Sequence, residues 1–138
     1  MGRETEGFKS LCYILIIMAD TGIFATTAEV ERKAGANASA TSKAEAYVND
    51  YMTQVESQIN VATGKNWSDA YSGLNADVKG ILKEVASNLA AIYVIQYDMS
   101  GYTTRIEAED MVNILRDAAL RGLSILREVV KRDFMTDA

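Results

Sequence analysis

The stretch that most constrains this chain runs over residues 75–99, NADVKGILKEVASNLAAIYVIQYDM, the longest segment that reads as a single buried helix. At about 100° per residue from Val78, the side chains of Leu82, Val85, Leu89, Ile92, Tyr93 and Gln96 fall within roughly 60° of that of Val78, with Ile81 and Ala86 at the margins. The opposite face begins polar, with Lys79, Lys83, Glu84 and Ser87, and becomes apolar two turns later at Ala90, Ala91, Val94 and Ile95. A helix apolar on all sides at one end must be covered from more than one direction. The short chain offers little material for that, so the expectation is that an adjoining subunit or the long last helix covers Val94 and Ile95.

What surrounds this helix is set by composition. At 138 residues the chain has the length of one domain with one sizeable core. A net charge of −5 argues against gripping nucleic acid by phosphate neutralisation. Histidine is absent and Cys12 is the only cysteine. Histidine-dependent acid–base pairs, the usual zinc ligand sets and an internal disulfide are thereby excluded. Proline is absent too, which leaves long helices free of imposed kinks.

Residues 1–25 form an N-terminal extension whose apolar run, residues 11–18, is too short to span a bilayer. Three readings of it stand: a signal peptide, a segment upstream of a true start at Met18, or a β-strand. A domain then spans residues 26–131. Thr26 and Glu29 stand at capping-box spacing before a short helix that Gly35 ends, and Ser42 with Glu45 repeats the pattern for a second helix ended by Gly64. Residues 66–74 read as a structured loop anchored by Trp67. After a turn at Ser100 and Gly101, Thr104 with Glu107 opens the last helix. Its apolar positions are Met111, Ile114, Leu115, Ala118, Leu123, Ile125, Leu126 and Val129, and Gly122 lies within it as a mark of close backbone approach. Through residue 131 that helix would be about 40 Å long. A polar tail, residues 132–138, carries Phe134 and Met135. The expected fold is all-α, a short N-terminal helix followed by three longer antiparallel ones.

The search for chemistry finds little. Glu107, Glu109 and Asp110 suit the positive end of the last helix better than a metal. Asp98 and Arg105 are spaced to pair across the turn. No phosphate loop is present, since Gly64-Lys65 lacks the rest of the motif. Neither an enzyme nor a cofactor-binding or metal-binding protein is expected. Tyr97 and Tyr102, at the turn between the two longest helices, suit either a core or an interface, where a ring and a hydroxyl both find use.

The order of segments TTAEVERKAG, INVATGKNW, LNADVKGILKEVASNLAAIYVIQYDM and TRIEAEDMVNILRDAALRGLSIL resembles the head-tail connector, or adaptor, proteins of tailed bacteriophages. Asp77-Val78-Lys79, Tyr93 and the Arg105, Glu107, Ala108, Glu109 start of the last helix carry the likeness, which covers residues 26–126. It implies a homo-oligomeric ring, typically dodecameric, seated at the neck of the virion beneath the portal protein and above a stopper or tail protein. DNA would pass through without specific binding, and an acidic lumen would let the duplex slide. No membrane partner is expected, and before assembly the chain would reside in the host cytoplasm. On this reading Val94, Ile95, Tyr97 and Tyr102 are subunit-interface candidates, while Phe134 and Met135 dock on the portal. A small dimeric helical regulator or adaptor of a bacterial host is the alternative.

Overall fold

The computed structural model describes residues 21–137, with side chains through residue 130. All the regular structure in this span is helical. Helix α1 is Thr27–Ala34, α2 Glu45–Thr63, α3 the single turn Trp67–Ala70, α4 Ala76–Tyr97 and α5 Arg105–Asp137, with a 3-10 turn at Tyr71–Gly73 before α4. The readings of residues 1–20 as leader, upstream segment or strand lie outside the described residues.

Local signals start most of these helices. Thr26 Oγ1 accepts the Glu29 amide at 3.3 Å and donates to the Glu29 carboxylate at 3.1 Å. Gly35 ends α1 at φ 86°, a region where a Cβ is strained. Asn66 caps the α3 turn, accepting from the Asp69 amide at 3.2 Å and donating to its carboxylate at 2.8 Å. Asn75 caps α4 through the Asp77 amide at 2.8 Å, and Thr104 caps α5 through the Glu107 amide at 3.1 Å. The expected box at Ser42 does not form. Helix α2 starts after Ala44 with no side-chain cap, and Ser42 is buried instead, its hydroxyl donating to the Val94 carbonyl at 3.0 Å.

That bond is one of three of the same kind, in which a remote side chain satisfies a carbonyl left open at a helix C-terminus. Ser42 serves the end of α4. Tyr102 serves the end of α1, its hydroxyl donating to the Ala34 carbonyl at 2.9 Å. Arg127 of α5 serves the end of α2 by donating from Nε to the Ala62 carbonyl at 3.1 Å, and places a cation at the negative end of that helix. The loops and α5 are thus tied to helix ends by polar contacts that also orient the packing.

Helix α4 lies at the centre, packed on α1, α2 and most extensively α5. Leu82, Val85, Ala86, Ala90, Ala91, Val94 and Ile95 are all fully buried. Tyr51 stacks on Tyr93 at 5.7 Å between ring centroids and Tyr47 meets Tyr97 edge-on at 5.5 Å, joining α2 to the second half of α4. Trp67 is buried, its indole donating to Thr63 Oγ1 at 2.8 Å and its amide to Asn60 Oδ1 at 3.1 Å, so it anchors the α2–α4 connection as a helical turn. Lys33 and Glu84 pair at 2.8 Å across α1 and α4, and this contact holds the Glu84 carboxyl below its ordinary pKa. The partners are part-exposed, so the pair fixes register more than it stabilises.

Two boundaries differ from the sequence reading. Phe24 and Ala25 are buried in the core, so the domain begins before residue 26. At the other end α5 continues through Asp137 as helix, without the break expected after residue 131. Its 33 residues span about 50 Å at 1.5 Å per residue.

Gly122 is buried where α5 crosses α4, and a Cβ placed on it would drive into Val85 Cγ2. Gly122→Ala gains about 1 kcal/mol of helix propensity and costs about 1–3 kcal/mol in overpacking. The expected outcome is net destabilisation, read as a lower midpoint in urea, whereas Gly80→Ala, with open space at its Cβ, should raise the midpoint.

Candidate assembly surface

The structure separates the interface candidates into two groups. Val94 and Ile95 are fully buried by this chain's own helices, which corrects the expectation that a neighbouring subunit covers them. Three helices pack around α4, and the material that covers its apolar second half comes from distant parts of the sequence. Tyr102 is also inward, 6% exposed, with its hydroxyl bound to Ala34. Burial, and then the charge of Glu107, push its pKa up. Only Tyr97 stays on the surface, 52% exposed against Tyr47, whose hydroxyl contact raises the Tyr97 pKa. The side chains of Phe134 and Met135 lie outside the described residues, while their backbone is part of α5.

The surplus apolar surface lies on α5 instead. Ile106 is 69% and Ile114 70% exposed, and Leu120 and Ile125 are exposed as well. The sequence reading placed Ile114 and Ile125 in the buried stripe. The buried face is centred on Ala108, Ala119, Gly122 and Leu126, flanked by Met111, Leu115, Leu123 and Val129. Small side chains let α5 lie close to α4, and that rotates the larger isoleucines outward by about a quarter turn. Beside them a groove of about 430 Å³ opens between α4 and α5, lined by Gly80, Ile81, Ala118, Arg121, Gly122 and Ile125 among others. Val61 on α2 is a further exposed aliphatic residue.

Chemistry is sparse around these features. Among the described residues no group of three or more Asp, Glu or Cys side chains is placed to hold a metal ion. Glu107, Glu109 and Asp110 remain in the first turns of α5, where Glu109 pairs with Arg105 at 2.9 Å. Asp98 does not meet Arg105. Its carboxylate caps the turn by accepting the Ser100 amide at 2.9 Å, and the Ser100 contacts lower its pKa. No described helix is long and apolar enough to cross a membrane.

A second feature escaped the sequence reading because it is wholly tertiary. Glu56, on α2, is a buried carboxylate whose Oε2 accepts the amides of Ile23 at 2.8 Å and Phe24 at 3.2 Å. Burial raises its pKa from the ordinary 4.5, and the two amide bonds partly offset the rise. Because the folded-state pKa lies above the unfolded one, the fold is favoured at low pH and loses stability as pH climbs from 4.5 through the raised value, then levels off. Glu56→Gln keeps an acceptor and removes the charge. It should erase that slope and be more stable than the parent above the window, as measured by thermal unfolding from pH 4 to 8.

Compared with known proteins, the chain matches no family model, no curated protein and no solved structure.

Proposed function

We propose that this chain is a structural subunit of a tailed-phage head-tail connector, a homo-oligomeric ring that sits beneath the portal and surrounds the exit path of the DNA. The observation that carries this reading is the set of exposed aliphatic residues on α5, Ile106, Ile114, Leu120 and Ile125, which the chain's own elements leave uncovered. Closed rings use heterologous contacts, in which one face of a subunit meets a different face of the next. The first turns of α5 at Ile106 and the groove at Gly80 and Ile125 offer two such unlike faces. Support also comes from the order of the helices, a short first one and three longer ones, which the connector reading lays antiparallel. The length of α5 gives a subunit reach beyond its own core. In this arrangement the C-terminal turns with Phe134 and Met135 meet the portal, and Tyr97 with Tyr47 lies at a subunit edge.

The test is assembly of surface variants. Ile106→Asp with Ile114→Asp should change the unfolding free energy by no more than ordinary surface changes do, about 0.5 kcal/mol, and abolish ring formation on the cognate portal in electron micrographs. Unimpaired rings from this double variant would overturn the reading. A dimer in native mass spectrometry that never binds portal would favour the host regulator.

A further inference from the structure

Charged residues make up 24% of this chain, yet one broad face has almost none. On α4 no charge occurs from Val85 to Tyr97, and on α2 between Ala46 and Thr63 the two are Asp50, at the edge of the face, and Glu56, which is buried. These stretches lie side by side. Tyr47 of α2 meets Tyr97 of α4, Tyr51 stacks on Tyr93, and the Gln58 amide donates to the Tyr93 hydroxyl. The outward residues of α2 are Tyr47, Tyr51, Gln54, Gln58 and Val61, at alternating steps of four and three. That is the spacing of a seam along which a second helix packs, and it faces away from the chain's own core. Val61, at one end of it, is 83% exposed.

Depletion of charge with enrichment in tyrosine marks the centre of protein interfaces. The rings are already locked against one another across α2 and α4, so little side-chain freedom remains to be lost on contact. Electrostatics then selects the occupant. Two copies of a chain with net charge −5 repel, and they approach at least cost through a face without fixed charge. Elsewhere among the described residues the exposed surfaces carry charges, such as Asp110 and Asp117 on α5, Lys79 and Lys83 on α4 and Glu31 and Arg32 on α1. Across a two-fold axis a residue near the axis meets its own copy. A charge would there oppose itself, whereas a tyrosine hydroxyl or a glutamine amide both donates and accepts and can pair with its like.

We propose that the tyrosine and glutamine face of α2 and the second half of α4 is a two-fold contact with a second copy of this chain, the two α2 helices running antiparallel with Gln54 at the axis. In that register Tyr47 of each copy covers Val61 of the other, and Tyr51 meets Gln58. The seam from Tyr47 to Val61 is about 21 Å long and the face about two helix diameters wide. This is smaller than the about 800 Å² per partner of a standard interface, so the pair is reversible. The contact goes beyond the ring, which joins unlike faces, because this one joins like to like.

Sedimentation equilibrium of the full chain tests it. The parent should show a monomer–dimer equilibrium with a Kd in the micromolar range or weaker, on the order of 1 μM to 1 mM. Gln54 is exposed, so Gln54→Glu and Gln54→Lys should keep the parent's thermal midpoint. Each alone should weaken the dimer at least tenfold, because like charges meet at the axis, and an equimolar mixture of the two should restore it as a heterodimer. Ile106→Asp with Ile114→Asp should dimerise as the parent does, which separates this contact from the ring. A parent that stays monomeric throughout, a dimer indifferent to charge at Gln54, variants that mixing does not rescue, or loss of the dimer in the α5 variant would each overturn the proposal.

Discussion

Val94→Asp is expected to abolish the cooperative fold of the isolated chain. Val94 is fully buried on the central helix, and its carbonyl takes the Ser42 hydroxyl that pins the start of α2. An unpaired carboxylate there would have to be buried uncompensated or would expel the surrounding helices. Changes of this kind cost more than about 4 kcal/mol, against a total stability of about 5–15 kcal/mol for a domain. Far-ultraviolet circular dichroism should show reduced helicity and no sharp thermal transition. Ile95→Val, which removes one methylene from an equally buried site, should lower stability by about 0.5–1.5 kcal/mol and leave the transition intact. A folded Val94→Asp monomer that fails only to assemble would instead place this face at a subunit contact.

Trp67→Ala should be nearly as damaging, at about 3–5 kcal/mol. The ring fills the space between the end of α2 and the turn before α4, and its indole N–H is satisfied by Thr63. Trp67→Phe separates the two contributions. It keeps most of the volume, and Thr63 Oγ1 still donates to the Ile59 carbonyl at 2.7 Å, so the expected loss is nearer 1–2 kcal/mol. Urea titrations of the two variants check the order, and equal losses would mean that the hydrogen bond rather than packing carries the residue's contribution.

The all-helical character was legible in the sequence because the signals that set it are local. Thr26, Asn75 and Thr104 cap their helices through amides two or three residues away, and Gly35 and Gly64 end theirs at positive φ. Ser42 carries the same local signature, but a tertiary acceptor, the open Val94 carbonyl, draws its hydroxyl into the core. The same limit governs α4 and α5. Hydropathy weights large aliphatic residues, and so pointed to Ile114 and Ile125 as core. Close helix packing selects small ones, and Ala108, Ala119 and Gly122 are where α5 is buried. The excess apolar character of α4 is visible in its sequence, but the helices that cover it are brought in by the fold. Glu56 gave no sequence signal, since nothing local distinguishes a glutamate that will receive two amides from residues more than thirty positions away.

These shifts leave the exposed aliphatic residues of α5 as the surface on which the proposed ring rests. The isolated domain has an interior built from its own residues, while Ile106, Ile114, Leu120 and Ile125 of α5, Val61 of α2 and Ile23 stay exposed. In the proposed ring this surface is covered by another copy on the portal. Electron microscopy of the purified chain mixed with the portal protein encoded in the same genome tests it most directly. The expected result is a ring coaxial with the portal, in which the exposed aliphatic residues of every α5 are covered by the adjacent subunit. Free monomers or dimers beside bare portals, or a ring in which those residues face solvent, would contradict it.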